Sequence, residues 1–174
     1  MDEVDEIELA KQNCNNKEYF LKKVKDNPML IEWANEEIRD DKEVVLKAVV
    51  GDSGALEFAS DRLKDDKEIL IEAVKKAGWT CCYASERLRN DKEVLLNAVK
   101  SDGQALYFAS EQLRNDKQIV LEAVKNKPII LKYASFNLRK DKDIAIMAVS
   151  NGKKNGYEFI AEELKKDEEI KKLL

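Results

Sequence analysis

The feature that most constrains this chain is a spacing. The dipeptide Asp-Lys begins at Asp41, Asp66, Asp91, Asp116 and Asp141, 25 residues apart each time. A degenerate copy starts at Asn16-Lys17-Glu18, 25 earlier, and Asp167-Glu168-Glu169 follows 26 after its predecessor because one extra residue sits within 150–156. In this register Val24, Val49, Val74, Val99, Val124 and Val149 form one column, and Ile38, Leu63, Leu88, Leu113, Leu138 and Leu164 form another. A fixed period of this length marks a repeat architecture, in which each unit packs only on its neighbours.

Each copy reads as two short helices. In the first, Asp91 is placed as N-cap and Glu93 puts an acid in the first turn, where the macrodipole favours it. Leu95, Leu96 and Val99, with Val94 and Ala98 beside them, then form a broad helical stripe. The second helix is expected to run through Ala105–Arg114, burying Leu106, Ala109 and Leu113, with Phe108 on the flank. The glycines fall in the turn between the two helices, and Pro28 and Pro128 share the column of Gly78 and Gly103, where a helix-starting proline is tolerated. The return junction, Leu-Arg-Asn-Asp-Lys-Glu and its variants, turns on the aspartate cap instead.

Helices of about ten residues are marginal alone. One copy therefore cannot stand by itself, and neighbours must bury each other's apolar faces. The column Ala34, Ala59, Ala84, Ala109 and Ala134 permits the close approach this needs. The expected fold is all-α, an α-solenoid of about six tandem 25-residue helix-turn-helix repeats. The repeats start at 16, 41, 66, 91, 116 and 141 in a single array. Residues 1–15, with Ile7, Leu9, Ala10 and Cys14 at helical spacing, read as an N-terminal cap, and 167–174 as a truncated final helix. That last helix stops after about two turns, so either the natural protein continues past Leu174 or the helix frays.

These residues carry a resemblance. Asp-Lys-Glu-(Val/Ile)-x-Leu-x-Ala-Val followed by Leu-x-Phe-Ala-Ser-x-x-Leu-Arg, recurring along 16–170, resembles the repeat called domain of unknown function 4116. The first copy departs from it with Lys23 in an alanine column, and the last with Ile160-Ala161 for Ala-Ser. The resemblance implies no activity and transfers no catalytic residue. The period and phrasing are also similar to leucine-rich variant repeats, which are helical solenoids.

The chain is 38% charged with net charge −4, its two signs interspersed, which argues against a nucleic-acid or anionic-membrane footprint. No apolar run approaches the ~18 residues of a membrane-spanning helix, and the acidic start is unlike a signal peptide. Three cysteines, Cys14, Cys81 and Cys82, and no Asn-x-Ser/Thr sequon point to a reducing, cytoplasmic setting. There is no histidine, which removes the commonest general base and His-containing nucleophile pairs and zinc sites. No enzyme, cofactor or metal is expected. Ser60, Ser85, Ser110 and Ser135 form a column without a base and read as mid-helix serines bonding a carbonyl or the adjacent repeat's cap. Cys81 replaces a core leucine, while Cys82 lies in a different column. Lys17, Lys42, Lys67, Lys92, Lys117 and Lys142 sit among acids and read as inter-repeat ladders rather than a polyanion site. Arg39, Lys64, Arg89 and Arg114 follow acids by three residues, a spacing suited to i,i+3 pairs.

Positions that differ between copies are the informative ones, since a scaffold fixes its core and frees its surface. On the second helix, positions matching Trp79, Cys82 and Glu86 recur at i, i+3 and i+7 and so share one outer face. Trp79, Cys82, Tyr107, Ile129 and Phe136, with Lys132 among them, are then expected to form an apolar strip on a charged wall. The alternative is that Trp79 and Ile129 fold under their turns and Phe136 packs locally. The strip suits a non-enzymatic scaffold that binds a protein or peptide, as a monomer or weak homo-oligomer. A structural spacer or self-association module is the runner-up, and binding of RNA or phospholipid through the lysine columns comes third.

Overall fold

The computed structural model describes residues 3–152 and 154–174, the first two of these by backbone alone. Among the described residues all regular structure is helical, and no helix is long and apolar enough to cross a membrane. The copies stack as an all-α repeat array: each long helix packs on the long helix of the next copy, and the shorter helices form a second layer beside them.

The long helices fall where the period puts them, at Lys42–Gly51, Lys67–Lys76, Lys92–Ser101, Lys117–Asn126 and Lys142–Gly152. Each of the first four starts at an aspartate whose carboxylate accepts from two amides of the first turn, as Asp91 Oδ1 does from the N–H of Glu93 at 2.9 Å and Val94 at 3.2 Å. Val94, Leu95, Ala98 and Val99 are buried in the central copy, and the same columns are buried in its neighbours.

The expected second helix is not one helix, and this corrects the two-helix unit. Gly103–Phe108 is a 3-10 helix, Ala109 and Ser110 are extended, and Glu111–Arg114 is a single α-turn. The copies at Ser53–Lys64, Gly78–Arg89 and Pro128–Arg139 break in the same way. The physical reason is the serine column. Ser110 is not mid-helix but an N-cap, its Oγ accepting from the Leu113 N–H at 3.3 Å while donating to Asn90 Oδ1 of the preceding copy at 2.5 Å. An N-cap needs extended backbone, so the serine ends one helix by starting another. Asn35, also a capping residue, does the same in the first copy. Ala161 occupies this column in the last copy, and there the following turn is the uncapped 3-10 helix Leu164–Lys166 instead of an α-turn.

The seams between copies are matched residue by residue. Lys67 Nζ bridges Asp91 at 2.8 Å and Glu93 at 2.8 Å of the next copy, and Lys17, Lys42, Lys117 and Lys142 each hold two carboxylates in the same manner. Lys92 reaches only Asp116, because the second acid is Gln118. A second clamp joins Arg62 Nε to Asp40 at 2.9 Å and Arg87 Nε to Asp65 at 3.1 Å; Lys140 and Glu163 carry it with the signs exchanged, at 2.9 Å. Between them, Asn90 with Gln112 and Asn115 with Asn137 occupy these positions without charge. The expected i,i+3 pairs of the arginine column do not form in Arg39, Lys64, Arg89 or Arg114, whereas Lys165 does meet Glu162 at 2.7 Å. Arg114 instead donates to the carbonyls of Ala109 and Tyr107 at 3.0 and 3.1 Å, since the break in the second helix turns it back along the chain.

Gly103 shows why glycine recurs at the turn. A Cβ there would stand 2.5 Å from the Ala123 carbonyl of the next long helix, and its N–H donates to Asn126 Oδ1 at 2.9 Å. Where proline takes this column, it has no N–H to offer, and a glycine of the next copy makes room for the ring: Pro28 faces Gly51 and Pro128 faces Gly152.

Residues before the first full copy form the helix Glu3–Gln12, with Ala10 fully buried and Leu9 36% exposed. The Cys14 carbonyl accepts from the Asn35 N–H at 2.7 Å, the same link that Arg114 makes to Ser135. At the other end Glu168–Lys171 is capped by Asp167; Ile170 is buried and Leu174 is half exposed.

Candidate docking groove

The 3-10 geometry decides what the outer surface presents. With three residues per turn, side chains three apart eclipse. Trp79 therefore lines up with Cys82, Gln104 with Tyr107, and Ile129 with Lys132. Successive copies set these pairs side by side, and a groove of about 460 Å³ opens between them, floored by Trp79, Tyr107 and Ile129. These three are 42%, 52% and 37% exposed, so Trp79 and Ile129 do not fold under their turns.

Trp79 and Tyr107 are held by aromatic neighbours. The Trp79 indole meets the Tyr83 ring edge-on at 5.9 Å, with its far edge 3.8 Å from where a Cβ on Gly54 would sit. Tyr107 stands edge-on to Tyr133 at 5.0 Å and to Phe108 at 5.1 Å. Behind them runs a half-buried aromatic column, Trp33, Phe58, Tyr83, Phe108, Tyr133 and Phe159. Of this column only Phe108 figures in the expected flank of the second helix, although the 25-residue spacing of the first five rings is plain in the chain. Such edge-on contacts position rings without covering their outer faces.

Phe136 is not part of this groove. It lies beyond the Ala134–Ser135 break, 61% exposed at the start of its own α-turn, with Lys140 Nζ 4.4 Å from its ring. The i+7 relation that placed it on the strip holds only along a continuous helix. Cys82 is half-buried and does not line the groove. Burial, and then the Glu57 carboxylate, push its thiol above the usual range. Cys81 is buried in the core, where desolvation pushes its thiol up to about 12. The Tyr83 phenol is likewise raised to about 12, by burial first and by its hydrogen bond to Glu57 at 2.9 Å.

Lys127 and Lys132 stand on the groove's walls. Neither is ion-paired among the described residues, and Lys132 Nζ lies 4.8 Å over the Tyr133 ring. The regular lysine column differs: those ammonium groups are occupied by carboxylates, which raise Lys42 and Lys67 above the ordinary lysine range. The serine hydroxyls are engaged as caps and as donors to the preceding copy, Ser60 and Ser85 to the carboxylates of Asp40 and Asp65, Ser110 and Ser135 to the side-chain carbonyls of Asn90 and Asn115. Among the described residues no three His, Cys, Asp or Glu side chains are grouped to hold a metal.

No curated protein and no solved structure matches the chain. One family does, in five overlapping tandem segments at 16–49, 51–89, 73–114, 91–139 and 116–165, which follow the stack described above. The chain belongs to that family, whose description is Domain of unknown function (DUF4116).

Proposed function

We propose that this array is a non-enzymatic interaction scaffold that captures a protein or peptide partner in the groove floored by Trp79, Tyr107 and Ile129. One observation carries the reading: three consecutive copies, otherwise built on a shared core, each place a large apolar side chain, more than a third exposed, into the same groove. Tryptophan and tyrosine are the side chains that most often anchor interfaces, and the neighbouring rings hold these two in place before any partner arrives. The partner acts on a preformed surface. Three free cysteines favour a cytoplasmic setting.

The test is selection of binders from a displayed random-peptide library on the immobilised full chain, followed by titration of the enriched peptides. Trp79→Ala with Tyr107→Ala should weaken them at least tenfold while the thermal midpoint stays near that of the parent. Peptides that bind this variant as well as the parent would remove the groove from the function. Loss of the fold in the variant with undiminished binding by the parent's other face would return both residues to a structural role.

A further inference from the structure

Charge changes along the array in a way the repeat itself does not require. The column of Lys132 runs Glu32, Glu57, Cys82, Tyr107, Lys132 and Glu158; that of Lys127 runs Asn27, Asp52, Ala77, Asp102 and Lys127. Through the first five copies both columns turn basic only in the one that supplies Ile129, and both lysines line the groove. No carboxylate lines it, in a chain whose net charge is −4. The cations of the regular ladder are spoken for by acids of the next copy, whereas these two hold none.

We infer that the occupant of the groove is an acidic peptide segment, with a large apolar side chain seated among Trp79, Tyr107 and Ile129 and flanking Asp or Glu residues meeting Lys127 and Lys132. This rests on the groove being the peptide-binding site argued above. An apolar floor excludes water from the contact, so a carboxylate there feels the ammonium more strongly than on an open surface. A neutral segment forgoes that gain and a basic one is repelled, so the pair of lysines sets specificity as well as attraction. Two lysines are too few for a nucleic-acid backbone, whose binding draws on many phosphate contacts.

The test uses three fluorescein-labelled synthetic peptides with one Phe-Leu centre, flanked by Glu, by Gln or by Lys. Each is titrated against the full chain by fluorescence anisotropy. The Glu-flanked peptide should bind about tenfold tighter than the Gln-flanked one, with the advantage shrinking as salt is added. Lys127→Glu with Lys132→Glu should transfer the preference to the Lys-flanked peptide, and Lys127→Gln with Lys132→Gln should erase the difference between Glu and Gln. Equal affinities for Glu- and Gln-flanked peptides, or a Glu preference that survives either double variant, overturns the inference and leaves the groove a peptide site. If none of the three binds, or all bind the Trp79→Ala/Tyr107→Ala variant unchanged, the inference and the proposed function fall together.

Discussion

Replacing Asp91 separates the two tasks of the aspartate column. Its carboxylate accepts from the N–H groups of Glu93 and Val94 through Oδ1 and meets Lys67 Nζ at 2.8 Å through Oδ2. Asp91→Ala removes the cap, which costs about 1 kcal/mol within a range of roughly 0.5–2. Asp91→Asn keeps an acceptor at the cap and loses only the bridge, so its cost should be the smaller and should fade with added salt. Burial works to raise the Asp91 carboxyl, but Lys67 and the two amides outweigh it and hold it below the usual aspartate range. Its stabilising share is therefore complete above the unfolded value of about 3.9 and is lost as pH falls through the lower folded value. The Asn variant and the parent should converge in acid. Chemical denaturation measures the total, and amide hydrogen exchange at Glu93 and Val94 localises it: about 1 kcal/mol corresponds to roughly fivefold faster exchange where exchange follows local opening. An Asn variant as costly as the Ala variant at neutral pH, or a gap between Asn and parent that widens in acid, would refute the division of labour.

Three further outcomes follow from other seams. Gly103→Ala drives a methyl against the Ala123 carbonyl and should cost about 1–3 kcal/mol in urea denaturation, with loss of near-ultraviolet circular dichroism before far-ultraviolet. Asn90→Asp with Gln112→Arg installs in the middle of the array the clamp that Asp65 and Arg87 form beside it, and should raise the thermal midpoint of the double variant above either single one. In thiol labelling of the native chain, Cys81, buried with its thiol pushed up to about 12, should react last and only on unfolding, as mass spectrometry of the labelled peptides will show.

The long helices were legible because their signals are local and redundant: an aspartate cap, an acid in the first turn and a 3.6-residue stripe, repeated at each copy. The broken second helix was less so. Leu106, Ala109 and Leu113 satisfy a helical period as well as they satisfy a 3-10 helix, a hinge and a turn. The signal that tells the two apart is chemical: Asn35 stands where the next four copies have serine, and those two residues share little except the ability to cap. That break also decided the groove. Trp79, Tyr107, Ile129 and Lys132 fall within 3-10 segments, where a three-residue spacing survives, whereas Phe136 depended on counting seven residues through the hinge.

The pairing of Pro28 with Gly51, set beside that of Gly78 with Ser101, means the copies are not interchangeable links. Excising residues 91–115 would bring Gly78 opposite Asn126, whose amide already serves Gly103 in that role, and the chain would close over the gap. Excising 41–65 would bring the Pro28 ring opposite Lys76, where no space is left for it. Loss of 91–115 is thus open to the array and loss of 41–65 is not, and at both Pro28 and Pro128 the removal of whole units is steered by a ring and the missing side chain that receives it.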